Sequence, residues 1–305
     1  MSFFITLSAV ATMLLYAVPA YALGKAKIAK SEHLPVLAVV LLYICTPAIV
    51  INSFQKLTFS PDSVSGLVIY LLLSFALQAL MMGGAWLIIR KSPQKRHRIA
   101  AIATSLGNCG FFGIPLLKAL LPDNPEAVIY SALFSIAMNT IAFTFGSLLI
   151  SGDKKYVKVK KIFLNPAMIG AFIGIPLFVL GIKLPDIVMT GLDGCVDLSS
   201  PICMFVLGIR LSTVKFHKIF TNVSAYLAVI AKQLIMPLIA VGITLILPLD
   251  PVLETGFIII SSCPVASVVL NLSEVIGEGQ KDAADCVLLG TILSIITIPI
   301  VALFM

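Results

Sequence analysis

The chain has 305 residues, of which 59% are hydrophobic and only 11% are charged, and its mean hydropathy is +1.09. Soluble domains carry roughly 25% charged residues, so this composition excludes an ordinary water-soluble core. A net charge of +7 can indicate nucleic-acid binding, but here the Lys and Arg residues lie in short segments between apolar blocks. We therefore expect a membrane protein, in contact with lipid and without a nucleic-acid partner.

Ten apolar blocks follow one another, and most reach the roughly 20 residues that a helix needs to cross a bilayer. They cover residues 3–24, 34–54, 64–89, 99–121, 127–150, 163–182, 187–211, 222–247, 252–276 and 283–304. Pro, Gly and charged clusters separate them. The sequence therefore predicts an all-α polytopic membrane protein with ten transmembrane helices.

The loop charges predict the orientation, because the loops after the odd-numbered blocks hold 17 of the 21 Lys and Arg residues. The positive-inside rule puts these loops in the cytoplasm, so both termini are expected outside the inner (plasma) membrane. No basic residue precedes the first block, which favours a retained helix over a signal peptide.

Matched breaks in the two halves of the chain indicate an internal repeat. Pro47 has a counterpart 154 residues later in Pro201, and Gly107 has one 157 residues later in Pro264. Because five spans is an odd number, a repeat of five must be inverted, as in many secondary transporters. We expect two inverted five-helix repeats at 1–151 and 163–305, joined by a short cytoplasmic linker at 152–162.

Block 4 carries a helix-breaking cluster, Gly107, Gly110, Gly113 and Pro115, around the polar residue Asn108. Gly and Pro weaken a continuous helix, and backbone groups freed inside a bilayer need partners in protein or water. The cluster predicts an unwound stretch that lines a cavity. The alternative is a continuous helix whose Gly residues allow a close helix contact.

Block 9 has small polar residues around a mid-span Pro264, which alone is typical of a simple kink. Paired with block 4, it predicts the second broken helix of a crossover, with two half-helix N-termini that attract a carboxylate at mid-membrane. Asn139 in block 5 either forms an interhelical hydrogen bond or lines the cavity. The candidate substrate-binding residues are Asn108, Cys109, Gly110, Asn139, Cys263, Pro264 and Val265, and the candidate hinges are Gly107, Gly113, Pro115 and Pro264.

Lys232, about ten residues into block 8, is the clearest charge at membrane depth, and Asp197 and, less deeply, Asp193 lie toward the start of block 7. A charge at membrane depth is costly unless it is paired or hydrated. Lys232 either attracts the substrate anion, couples its movement to Asp197, or forms a structural pair with an acid. Asp285 and Glu274 border the block ends, and we expect them to be solvated.

Enzyme signals are weak, and we expect no catalytic residue, metal or cofactor. His33, His97 and His217 lie in or beside predicted loops, and the six Cys residues have no metal-ligand spacing. A membrane-embedded enzyme is the alternative from another class, and it requires a catalytic His, Asp or Ser constellation at one membrane face.

Several of these segments together resemble the auxin efflux carrier family, especially its bacterial members, over nearly the whole chain. The matching segments are Gly107-Asn108 with Gly113-Ile114-Pro115-Leu116, Asp197 with Met204 to Gly208, Lys232 before Pro237, Asn165-Pro166, Cys263-Pro264 and Pro299. Plant members usually have Pro where this chain has Gly107, which predicts a softer break here.

The resemblance implies two inverted five-helix repeats, a scaffold part and a moving transport part, and contact of Asn108 with the substrate carboxylate. It also implies small organic anions as substrates, such as auxin in plants and malate or malonate in bacteria, and a homodimer. The expected activity is secondary transport by alternating access. A sodium- or proton-coupled organic-acid symporter of the bile-acid-transporter type is the alternative.

Overall fold

A computed structural model of the chain describes residues 2–92, 94–124, 127–157, 164–213 and 221–305. Over these ranges the chain is helical, and no β-strand occurs within them. We number the helices α1 (Phe3–Lys25), α2 (Leu34–Lys56), α3 (Pro61–Ile89), α4 (Lys95–Ala103), α5 (Cys109–Leu120), α6 (Val128–Ser151), α7 (Pro166–Val179), α8 (Asp186–Thr213), α9 (Val223–Ile246), α10 (Pro251–Ser262), α11 (Val268–Ile276) and α12 (Gln280–Phe304).

Seven of the described helices are long and apolar enough to cross a membrane, namely α1, α2, α3, α6, α8, α9 and α12. The shorter apolar helices α5, α7 and α10 lie among them. The long helices expose large apolar side chains, which suit contact with lipid. Examples are Leu72 and Ile88 of α3, Ile187 of α8 and Leu245 of α9. The prediction of an all-helical, multi-pass membrane protein is therefore confirmed.

Both predicted helix breaks are present. Residues 104–108 separate α4 from α5, and residues 263–267 separate α10 from α11. Helices α2, α5 and α9 also widen for one turn shortly before a proline, at Leu41–Cys45, Cys109–Gly113 and Ala231–Ile235. Proline has no N–H and crowds the preceding turn, and a widened turn accommodates that conflict.

The described helices pack in two groups. In the first, α1 lies along α8, and α2 packs on α7 and α8; in the second, α3 and α5 pack on α6, and α9 packs on α10 and α12. Glycine permits a close backbone approach in the first group, because a Cβ at Gly208 would overlap the carbonyl oxygen of Ala17. Small residues serve this purpose in membrane helices generally. Helix α1 also contacts α5 and α12, so it joins the two groups.

Some predictions need correction or fall outside the described ranges. Residues 158–162 of the predicted linker 152–162 lie outside the described residues, as does His217. Glu274 is exposed, as expected. Asp285 was expected to be solvated, but it is only 6% exposed and accepts a 2.9 Å hydrogen bond from Nδ2 of Asn222, because the start of α9 covers it.

Candidate functional site

The two helix breaks meet as an antiparallel crossover, in which Gly107 lies opposite Val265. The backbone N–H of Asn108 donates to the carbonyl of Pro264 at 2.7 Å, and the backbone N–H of Ala266 donates to the carbonyl of Leu106 at 2.9 Å. Each interrupted segment thus supplies partners for the backbone groups that the other leaves free, as a low-dielectric interior requires.

A cavity of about 1190 Å³ ends at this crossover. Gly107, Asn108 and Gly110 line its base from the first segment, and Ala266 and Ser267 line it from the second. Helices α5 and α11 begin at these points. A helix N-terminus carries a partial positive charge and backbone N–H donors, so the base of the cavity has the chemistry of an anion site.

The cavity extends from the crossover toward one face of the molecule. Its lining includes Leu34 at the start of α2, Thr213 at the end of α8 and Glu274 near the end of α11. Thr213, Glu274 and the neighbouring Leu164 are exposed, so they form the mouth of the cavity. The mouth therefore lies on the face where α2 begins and α8 ends.

Away from the mouth, the described residues next to the cavity are apolar and buried, and one of them, Ile49, also lines the cavity. Ile49, Ile114, Val128 and Val196, from four different helices, form a cluster in which each side chain is at most 5% exposed. We call this cluster the apolar seal. Beyond it, near the opposite face, Lys118 of α5 pairs with Asp197 of α8 at 2.8 Å, and Lys56 pairs with Asp193 at 2.8 Å.

Asn108 and Asn139 both line the cavity. Asn108 is half-buried, and its Nδ2 lies 3.8 Å from Sγ of Cys203 on α8. Nδ2 of Asn139 donates to the carbonyl of Ser135 in its own helix at 2.8 Å. Of the two alternatives for Asn139, the structure therefore supports the cavity position.

Sequence analysis did not identify two serines of α6 as candidate site residues. Oγ of Ser131 donates to the carbonyl of Cys109 at 2.8 Å, and Oγ of Ser135 lies 3.0 Å from Sγ of Cys109. Ser131, Ser135 and Asn139 recur every four residues, which puts polar groups on one helix face. This four-residue spacing in the sequence could have predicted a polar face of α6 at the site.

The structure places part of the predicted substrate-binding set behind the cavity wall. Cys263, Pro264 and Val265 are buried and do not line the cavity, whereas Ala266 and Ser267 do. The reason is that the backbone of 264–266 pairs with the first segment, which directs these side chains into the protein. Gly113 is buried as well, in contact with Ile260 of α10.

Lys232 is fully buried beside the crossover. Its Nζ donates to the carbonyls of Ser261 at 2.6 Å and Cys263 at 3.0 Å. These carbonyls belong to the C-terminal end of α10, where helical partners are lacking and the helix dipole is negative. Lys232 does not line the cavity, so its contacts are with the backbone of the crossover.

Lys232 and Asp197 do not pair with each other in the structure. The side chain of Asp197 is 71% exposed and pairs with Lys118, so it is not a buried charge. Lys232 instead takes carbonyl oxygens as partners, and no carboxylate of the described residues lies within ion-pair distance of it. The two residues are separated because Asp197 lies beyond the apolar seal, toward the closed face.

Comparison with known proteins gives two similarities. A protein family described as "Membrane transport protein" matches residues 5–163 and 155–302 of this chain. A protein of Rhizobium meliloti (strain 1021) named "Putative malonate transporter" is 23% identical over 222 residues, which are 70% of this chain and 68% of that protein.

Proposed function

Because this chain belongs to the auxin efflux carrier-type family of membrane transport proteins, we propose that it carries small organic anions by alternating access. One observation carries the proposal: Asn108 and the N-termini of α5 and α11 lie together at a cavity whose lining reaches the exposed residues Thr213 and Glu274 on one face.

An anionic substrate is supported by the chemistry of the cavity base. Two half-helices begin there, at Cys109 and Val268, and their dipoles favour negative charge. The Asn108 side chain adds an amide donor within the cavity. A carboxylate at this position would accept hydrogen bonds from donors that are already oriented, without a buried ion-pair partner.

Alternating access is supported by the contrast between the two faces. The cavity reaches the crossover from one face, while the buried apolar seal lies toward the other face. We propose that a second state reverses this arrangement, when the helix group that contains α5 moves relative to the group that contains α8.

The proposed architecture is ten spans in two inverted five-helix repeats, 1–151 and 163–305, joined by the linker 152–162. In it, α4 with α5 forms the fourth span and α10 with α11 the ninth. Seven long helices and three shorter apolar ones support this number. With both termini outside the plasma membrane, the cavity mouth faces the cytoplasm, and the structure corresponds to an inward-open state. A homodimer stays a prediction.

Malonate, malate and similar small carboxylates are the proposed substrates. The name of the Rhizobium meliloti relative supports malonate, and the family supports organic anions in general. Expelling one negative charge from a cell gains about 2.3 kcal/mol per 100 mV of membrane potential. Efflux of such an anion would therefore need no coupling ion.

The position of Lys232 supports a carrier that works without sodium. Its ammonium group occupies the carbonyl oxygens of Ser261 and Cys263 at the crossover, which are the type of ligand that a bound cation would need. A fixed positive charge at this point would replace the cation that a sodium-coupled symporter has to bind.

The test is flux of labelled malonate, malate and indole-3-acetate into proteoliposomes, with an imposed potential and with or without sodium. We expect a potential-dependent, sodium-independent flux of at least one anion.

We expect Asn108→Ala to lower that flux by about 10- to 100-fold, because a hydrogen bond to a charged group contributes about 1.5–3 kcal/mol. Asn124→Ala, outside the cavity, is the matched control. A strict sodium requirement, or full activity of Asn108→Ala, would contradict the proposal.

A further inference from the structure

The cavity contains an unusual charge pattern. Among the described residues that line it, Arg210 is the only cation and Glu274 the only acid, and no ion pair joins them. Glu274 is exposed at the mouth. Arg210 is half-buried near the end of α8, between the mouth and the crossover.

The position of Arg210 relative to Asn108 follows from Cys203, which lies on α8 with Arg210 and next to Asn108. Cys203, which Nδ2 of Asn108 approaches at 3.8 Å, precedes Arg210 by seven residues. Seven residues are two helical turns, which put Cα of Arg210 about 10 Å farther toward the mouth than Cα of Cys203 on the same face of α8. Long side chains in helices lean toward the helix N-terminus, which here is the direction of Cys203 and Asn108, so the gap that a ligand has to bridge is shorter than the Cα spacing.

The guanidinium of Arg210 has no carboxylate partner among the described residues. No carboxylate of the described residues lies within ion-pair distance of its guanidinium, although ion pairs join charged residues at the closed face. A guanidinium presents a planar set of donors that matches a carboxylate. A half-buried one without a protein partner favours an anion in the cavity beside it.

We propose that Arg210 binds the second carboxylate of a dicarboxylate whose first carboxylate lies at Asn108 and the two helix N-termini. This inference rests on the proposed function and narrows its substrate class to short dicarboxylates. Arg210 and Asn108 belong to different helix groups, so a dicarboxylate bridges the two groups in the state described here. Arg210 is thus a specificity-determining residue that separates dianions from monoanions of the same size.

The experiment compares malonate with monomethyl malonate, which has nearly the same shape and one charge fewer. Wild type, Arg210→Gln, Arg210→Lys and the control Arg96→Gln are assayed in proteoliposomes for the apparent KM of each substrate. Arg96 is exposed and of the same residue type, but it does not line the cavity. The control therefore reports the effect of losing one surface charge.

We expect Arg210→Gln to raise the KM for malonate by about 10-fold or more, as for the loss of a charged hydrogen bond, and to change the KM for monomethyl malonate by less than about 2-fold. Arg210→Lys should lie between, because it keeps the charge but not the planar donor set. An equal change for both substrates, or none, would overturn the inference and leave the carrier function intact. If the wild type transports neither substrate, the inference fails, and the flux of malate and indole-3-acetate decides whether the proposed function fails as well.

Discussion

Lys232 shows how one buried charge can stabilise an interrupted helix. Its ammonium binds two carbonyls at the end of α10, while its Cε and Nζ lie against Gly107 on the other segment of the crossover. One side chain therefore touches both broken segments. Its role follows from contacts with the backbone and not from an acidic partner.

Replacing Lys232 by Met should disrupt the crossover. The apolar side chain has a similar length, but it leaves two buried carbonyls without their donor, and each unsatisfied group costs about 1–3 kcal/mol. We expect a lower Tm in detergent and loss of anion flux. Lys95→Met, at a side chain that is 62% exposed, should leave both unchanged. A Lys232→Met protein with wild-type Tm and flux would refute this role.

Gly107→Ala tests the same contact from the opposite segment. A Cβ at this position would lie 2.8 Å from Cε and 2.9 Å from Nζ of Lys232, so the lysine must shift from its carbonyl partners. Overpacking of this kind costs about 1–3 kcal/mol. A double-mutant cycle with Lys232→Met, followed by thermal unfolding, should give effects that are not additive, because the two residues touch. Gly84→Ala, which meets no atom within 4 Å, is the control, and additive effects would exclude the contact.

At the scale of helices, the sequence predicts the breaks better than their contacts. Gly and Pro act on the adjacent turns, so residues 104–108 and 263–267 could be identified as interruptions without a structure. The partner of Lys232 could not, because Ser261 lies 29 residues away and is met only through packing of α9 on α10. The burial of Cys263, Pro264 and Val265 depends in the same way on the pairing of two distant segments.

The contact between α1 and α8 yields a prediction about helix packing. A side chain at Gly208 would collide with the backbone of α1 at Ala17 and Tyr21, and backbone atoms cannot rotate away. We expect Gly208→Val to separate the helices and lower the Tm strongly. Gly191→Val in the same helix meets no atom within 4 Å and should change the Tm much less. Similar Tm values for the two variants would contradict the packing described here.

At the scale of the whole molecule, the crossover divides two regions of different access. On one side is the cavity, with Asn108 and the partly exposed Cys203; toward the other face is the apolar seal, in which Ile49 borders the cavity and Ile114, Val128 and Val196 do not line it. In the proposed mechanism, a substrate at Asn108 therefore exchanges with the face that carries the mouth in this state. The surface pair Lys118–Asp197 adds little to the closure, because exposed ion pairs contribute about 0–1 kcal/mol. The seal contributes more, because opening it exposes apolar side chains to water.

This one-sided access can be measured through Cys203, which lines the cavity. In a variant that keeps Cys203 as its only cysteine, a small membrane-impermeant thiol reagent should react quickly from the face that carries the mouth and slowly from the other. A second variant that keeps only Cys286, which is 1% exposed and outside the cavity, should react slowly from both faces. Vesicles of known orientation then identify the mouth with the cytoplasmic or the outer side.

Malonate should slow the reaction of Cys203, because Sγ lies beside the Asn108 side chain that we propose to bind a carboxylate. The same concentration of malonate should not alter the slow reaction of Cys286.

Replacing Val196 in the seal by Ala should raise the reaction rate of Cys203 from the closed face, since a smaller side chain weakens the apolar contact. Equal reaction rates of Cys203 from the two faces in the protein with an intact seal would show that the cavity is not closed at the crossover, and alternating access would then need another barrier.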